Sequence, residues 1–152
     1  MVLLIGGVML TAVRDLSGQV YGGAQLDWGS ETELGVGGRV LASLENANLE
    51  IVGSFDLYFP DGPVDFWEIN GNLFYHFHLS GSPSLLPYVG GGLNIAHFSN
   101  GSDHTELGLN LGGGIRFPMR SVTPFIEGRA VLSDADQAVL TFGLIFGRAH
   151  GR

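Results

Sequence analysis

Large apolar residues recur at every second position along most of this chain, and polar residues or glycine fill the places between. In Leu49–Phe59, Leu49, Ile51, Phe55, Leu57 and Phe59 share one parity, while Glu50, Ser54, Asp56 and Tyr58 share the other. Period two marks an extended strand with two unlike faces, whereas an amphipathic helix would repeat every 3.6 residues. Read this way, the chain divides into eight segments at 19–28, 32–43, 48–59, 65–79, 86–98, 104–117, 122–132 and 137–147. Between them stand "GSE", "ENA", "PDGPV", "SGSPS", "NGSD", "PMRS" and "SDAD", all of turn-forming composition. Connections this short force neighbouring strands to run antiparallel, as hairpins in a meander.

Parity then sorts the chemistry. One set of faces holds Leu34 and Val36, Leu57, Ile69 and Leu73, Leu107, Leu109 and Leu111, and Leu140, Phe142, Leu144 and Phe146. The other holds Glu33 and Arg39, Glu50, Glu68, Glu106 and Arg116, and Glu127 and Arg129. Apart from Asp65 at the first position of its segment, no segment places a charge in its large apolar set. Two closed barrels satisfy this division. A water-soluble barrel would bury the apolar set and could bind an apolar ligand there. Its outside would then be glycine, asparagine and tyrosine with sparse charge, a poor solvating surface. A transmembrane barrel turns the apolar set to lipid and pairs the charges inside, where Arg39, Arg116 and Arg129 meet the glutamates. An arginine on the lipid face near the midplane costs roughly 2–4 kcal/mol, which accounts for the exclusion. Aromatic residues agree: Trp28, Phe59 and Trp67 fall at one set of strand ends, and Phe77, Phe117, Phe125 and Phe146 at or towards the other. Two such girdles are the membrane-barrel expectation. The pattern predicts an all-β fold, an eight-stranded antiparallel up-and-down transmembrane barrel.

Composition sharpens this without changing it. Charged residues are only 14% of the 152 residues, and there are 25 glycines, which at mid-strand leave room for inward side chains in so narrow a barrel. All seven basic residues are arginine, and the net charge of -8 argues against a nucleic-acid partner. Without cysteine, disulfides, thiolate metal sites and thiol nucleophiles are excluded. "MVLLIGGVMLTAV" is too short to span a bilayer as a helix and suits a signal-peptide core, although no basic residue precedes it. The expected organisation is an N-terminal apolar, signal-like segment over 1–17, the barrel over 18–148 and a tail over 149–152.

"PYVGGGLNIAHFS" (Pro87–Ser99), "LGLNLGGGIRF" (Leu107–Phe117), "PFIEGRAVLSD" (Pro124–Asp134) and "LTFGLIF" (Leu140–Phe146) resemble strands of the small eight-stranded outer-membrane β-barrels of diderm bacteria. The resemblance spans about residues 18 to 147 and lies in pattern rather than signature. It implies a bacterial outer-membrane location, both termini in the periplasm, and contact with outer-membrane lipids and lipopolysaccharide. It also implies delivery by the outer-membrane assembly machinery, which reads a last strand ending in an aromatic. "TFGLIFGR" (Thr141–Arg148) departs from that rule by continuing beyond Phe146. The outside connections would carry Glu31, Asp61, Asp65, Asp103, Asp134 and Asp136, most simply as solvated loop carboxylates. A monomer with a packed polar interior is expected, with a structural or general surface role and no cofactor.

Two constellations offer chemistry. "HFSN" (His97–Asn100) is similar to the His-x-Ser-Asn motif of lipid A deacylases, which are also small outer-membrane barrels. That likeness implies a membrane-lipid hydrolase with His97 as base, Ser99 as nucleophile and Glu106 as the third member. Against it, three strands follow His97 where that family has one, and Glu106 has the inward parity. Catalysis is therefore not the leading expectation. His76 and His78, two apart, share the inward parity and suit a metal or a titrating pair, though a hydrogen-bonded structural role is the simpler expectation and no metal is assigned.

Overall fold

The computed structural model describes residues 20–30, 33–44, 48–59, 65–79, 81, 85–99, 101–133 and 136–146, with Glu33 described in its backbone alone. The expected apolar segment over 1–17, the tail over 149–152, and Glu31, Asp61 and Asp134 lie outside the described residues. Eight strands follow in order: β1 (Val20–Gly29), β2 (Glu33–Ser43), β3 (Leu49–Tyr58), β4 (Asp65–His76), β5 (Leu86–Ser99), β6 (Asp103–Arg116), β7 (Val122–Leu132) and β8 (Gln137–Phe146). Each pairs antiparallel with the next, and β8 returns to β1 through Gly22↔Phe146 to Gly29↔Val139, so the sheet closes on itself. We call the end where β1 begins and β8 finishes the terminal end, and the opposite end, with the β1–β2, β3–β4, β5–β6 and β7–β8 connections, the distal end.

The segments read from periodicity overrun the strands by a few residues, and proline explains two of the stops. Phe77 donates its N–H to the Pro87 carbonyl at 2.9 Å, and Phe117 donates to the Pro124 carbonyl at 2.9 Å. Neither proline has an N–H to return, so the ladders end at His76↔Tyr88 and Arg116↔Phe125.

Alternation puts the large apolar set outside. Leu34, Val36, Leu57, Leu73, Leu107, Leu109, Leu111, Leu140, Phe142, Leu144 and Phe146 are exposed, and Ile69 is half-buried. On the same surface Trp28 and Phe59 are exposed towards the distal end, with Trp67 half-buried between Phe55 and His97. Phe77 is exposed and Phe117 half-buried near the terminal end. Phe125 corrects the expected girdle. It is 1% exposed and points inward, as its shared parity with Glu127 and Arg129 requires.

The interior is layered rather than uniformly polar, a second correction. Towards the terminal end Leu41, Val52, Phe74, Tyr88, Phe125 and Ile145 form one apolar cluster. Towards the distal end Tyr58, Phe66 and Ala96 form another, with Phe98 packed against it. Ionic and amide side chains fill the height between them, and Arg116, Glu50 and His76 form a further polar group on the terminal side of the first cluster. The terminal-end cluster is crossed by aromatic edges: Phe74 and Tyr88 meet edge to face at 4.9 Å.

Glycine makes this filling possible. Lumen-facing glycines lie beneath particular large side chains of the adjacent strand: Gly35 beneath Tyr58, Gly37 beneath Asp56, Gly114 beneath the Tyr88 hydroxyl and Gly143 beneath the Phe125 ring. In "VGGGL" and "LGGGI", Gly90, Gly92, Gly112 and Gly114 alternate inward, while Gly91 and Gly113 alternate outward. Some outward glycines are different, for a methyl group at Gly71 or Gly128 would meet nothing within 4 Å. Two substitutions should therefore move stability in opposite directions. Gly143→Ala drives a methyl into the Phe125 ring and to 2.6 Å from the Ala24 carbonyl, and overpacking of this kind costs about 1–3 kcal/mol. Gly71→Ala should stabilise the strand by roughly 0.5–1 kcal/mol. Urea unfolding midpoints of the two variants check this; equal shifts would contradict the assignment of the two faces.

Candidate functional site: the filled lumen and the distal rim

Three arginines and three glutamates organise the lumen. Arg39, on β2, is opposite Gly23 on β1 and crosses the lumen to Glu127 on β7 with a forked pair of bonds, 3.1 and 3.2 Å. Its Nε donates to the Gln25 Oε1 at 2.5 Å, and its guanidinium lies 4.2 Å over the Phe125 ring. The Tyr88 hydroxyl completes this group by donating to Glu127 at 2.9 Å. Arg129, on β7, bonds Glu68 on β4, which also accepts from the Tyr58 hydroxyl and from Asn94, each at 2.9 Å. Arg116, on β6, forks onto Glu50 on β3 at 2.9 and 2.5 Å, with His76 3.5 Å from the same carboxylate. These six charged side chains are 5% exposed or less. Charges this deep persist only when each finds a counter-charge. Each arginine therefore meets a glutamate across the lumen, while Arg116 Nε and Arg129 Nε are buried with no hydrogen-bond partner among the described residues.

Neutral donors hold two more carboxylates. Asp27 accepts from Thr141 at 2.5 Å, and Asp56 from Gln25 at 2.6 Å and from Ser54 and Asn70 at 3.1 and 3.2 Å. Asn70, Asn72, Asn94 and Asn110 then relay amide to amide across β4, β5 and β6 at 2.7–3.0 Å. The space bordered by Asn72, Phe74, Asn110 and Arg129 has no room for the centre of a water molecule.

Of the interior residues expected from parity, Arg39, Glu50, Glu68, Arg116, Glu127 and Arg129 lie in this lumen. Glu33 has only its backbone described. Glu106 does not join them: although its parity is inward, it sits at the distal rim, its side chain 19% exposed, and pairs with His104 at 3.1 Å. Parity sets direction but not height, and Glu106 is too near the distal strand end to reach an arginine. Parity did mark Gln25, Asp27, Asp56, Tyr58, Asn70, Asn72 and Asn110 as inward. The partners each would find depend on register between strands, which no single strand records.

The structure disperses the candidate hydrolytic group. His97 lies on the outer surface, stacked on Trp67 with ring centroids 5.0 Å apart. One ring nitrogen meets the Thr105 hydroxyl at 3.0 Å, and the other faces Asp103 at 3.7 Å. Neither turns to Ser99, and Glu106 is engaged by His104. His76 and His78 also part company: His76, the last residue of β4, is buried beside Glu50, whereas His78 lies beyond the strand, exposed, 3.2 Å from Asn48. Among the described residues no group of three or more histidine and carboxylate side chains is placed to hold a metal ion.

No protein-family model matches this chain, and no curated protein sequence does. Solved structures do. The chain is similar to the N-terminal β-barrel domain of OprF from Pseudomonas aeruginosa, with 18% identity, a TM-score of 0.67, and coverage of 86% of this chain and 98% of that one. Neisserial surface protein A matches with 21% identity, a TM-score of 0.60, and coverage of 84% and 94%. Ail, the attachment invasion locus protein of Yersinia pestis, matches with 20% identity, a TM-score of 0.53, and coverage of 83% and 93%. At these identities the likeness bears on the fold alone, and that fold is the closed eight-stranded barrel of the small outer-membrane proteins.

Proposed function

We propose that this chain is an integral protein of a bacterial outer membrane, monomeric, with a structural or general surface role and no catalytic one. One observation carries the reading: the barrel is inverted relative to a water-soluble protein, with leucine and phenylalanine outside and three arginine–glutamate pairs inside. In water such a surface would cost far more than it returned, since a continuous apolar band of this size drives association. In hydrocarbon it is the favourable arrangement, and the closed ladder leaves no edge strand at bilayer depth. The soluble alternative needs the apolar set inside and space there for a ligand; here that set is outside and the lumen is filled. The deacylase alternative needs His97 directed at Ser99, and its ring nitrogens are directed elsewhere.

Phe146 ends β8 on the outer surface, which supports a last strand of the kind the assembly machinery reads, although the sequence continues beyond it. Contact with lipopolysaccharide and phospholipid follows from the same band. Expression in a diderm bacterium followed by membrane fractionation tests the proposal. The chain should enter the outer-membrane fraction and, unheated, migrate on a denaturing gel at a position different from the boiled sample. A soluble product with identical migration would overturn it.

A further inference from the structure

Five carboxylates lie in the described lumen: Asp27, Glu50, Asp56, Glu68 and Glu127. Against them stand Arg39, Arg116, Arg129 and, even if it is counted as a cation, His76. Glu33, described in its backbone alone, is not counted. Each of the three glutamates has an arginine, and Glu50 has His76 as well. Among the described residues, Asp27 and Asp56 have neither. Asp27, 1% exposed, takes its closest bond from the Thr141 hydroxyl at 2.5 Å. Asp56, 0% exposed, takes its bonds from Gln25, Ser54 and Asn70. All of these donors are neutral, and neutral donors leave a buried charge without its counter-charge.

The fold brings these two acids together by leaving the strand between them bare. Asp27 on β1 is opposite Gly35 on β2, and Asp56 on β3 is opposite Gly37. With no side chain at Gly37, the Asp56 carboxyl lies over the β2 backbone, towards β1. Gln25 joins the pair. Its carbonyl accepts from Arg39, so its amide nitrogen faces the acids, 2.6 Å from Asp56 and 3.4 Å from the nearer oxygen of Asp27. The two carboxyls stand within hydrogen-bonding reach of one another. A bond between them needs a proton, because ionised carboxylates can only accept. The ionisable groups around them are engaged elsewhere. Glu68 takes Arg129 and the Tyr58 hydroxyl, and Arg39 takes Glu127.

We propose that Asp27 and Asp56 hold one proton between them at neutral pH and form a base-sensitive latch on the seam where the barrel closes. The proton replaces repulsion between two like charges with a hydrogen bond. Asp27 is opposite Thr141 in the β1–β8 pairing and bonded to it, so the latch ties the distal part of the seam to β3. When base removes the proton, two like charges face each other in a dry interior and this part of the seam loosens. The sign follows from where the proton is bound. The folded chain holds it and the unfolded chain releases it, so the stability it supplies is present in acid and is lost as pH rises. This goes beyond the structural role proposed above, and it requires the lumen but not a particular membrane.

The full chain in detergent, with the gel shift reporting the fold, serves for the test. The probe is infrared absorption by a protonated carboxyl group, whose carbonyl band moves in heavy water. The parent at neutral pH should show such a band. Asp27→Asn and Asp56→Asn should each lose it, because the acid that remains has no second carboxylate beside it and ionises. Each new amide supplies the donor that the proton supplied, so both variants should keep the gel shift. Urea unfolding then reads the sign. Between neutral and alkaline pH the midpoint of the parent should fall further than that of Asp56→Asn. A parent without the band, a band that persists in either variant, or the same pH dependence in parent and variant would overturn the proposal. So would a midpoint that follows sodium or calcium at fixed pH, which would put a metal cation where the proton is assigned.

Discussion

Glu68→Ala is expected to destabilise the barrel by about 3–5 kcal/mol, because it leaves Arg129 as an unpaired charge in a dry interior. The carboxylate is 0% exposed and receives Arg129, Tyr58, Asn94 and Asn70 together. Truncation therefore strands a guanidinium and orphans three neutral donors, each worth roughly 1 kcal/mol. The desolvation penalty explains why the effect should exceed that of a surface pair. Glu106→Ala, at the exposed rim, should cost no more than about 1 kcal/mol. A paired replacement separates charge from packing. Glu68→Leu with Arg129→Met removes both ions at similar volume and should recover most of the loss, whereas either change alone should not. Urea unfolding in phospholipid vesicles, followed by tryptophan fluorescence and the gel shift, reads all five variants. A Glu68→Ala midpoint equal to that of the parent would mean that Arg129 has another partner, and the lumen described above would be wrong.

Period two made the architecture legible. Strand number, antiparallel order and the sense of each face follow from residues such as Leu107, Leu109 and Leu111 set against Asn110 and Arg116. Phe125 marks the limit of sorting aromatics by their nearness to strand ends, because its parity is inward, shared with Glu127 and Arg129. Leu41, Val52, Phe74 and Ile145 make the same point, for an eight-stranded lumen needs apolar filler as well as ions. Pairing was less accessible. That Arg39 meets Glu127 rather than Glu50 depends on how far strands slide past one another around the closed sheet, a property of seven turns together. Nor does either strand alone show that β6, with 14 residues, outruns β7, with 11.

The second large effect concerns the outer face. Phe142→Arg should cost about 2–4 kcal/mol when the protein is folded in a bilayer, since position 142 lies well inside β8 between Leu26 and Ile126. Ala138→Arg, one residue into the same strand at the distal end, should cost about 0–1 kcal/mol, because its charge reaches the headgroups. Depth is the informative variable. A water-soluble barrel with this surface would welcome an arginine at either place, and its solubility would rise. A barrel in hydrocarbon must penalise the deeper one, and the penalty should shrink in vesicles of shorter-chain lipid, where position 142 is nearer the interface. Unfolding midpoints of the two variants in thick and thin vesicles supply the comparison. If Phe142→Arg is tolerated as well as Ala138→Arg in both, the apolar surface does not face lipid. The enclosed ion pairs would then lack the explanation given for them, because only a chain with hydrocarbon outside has reason to keep its arginines within.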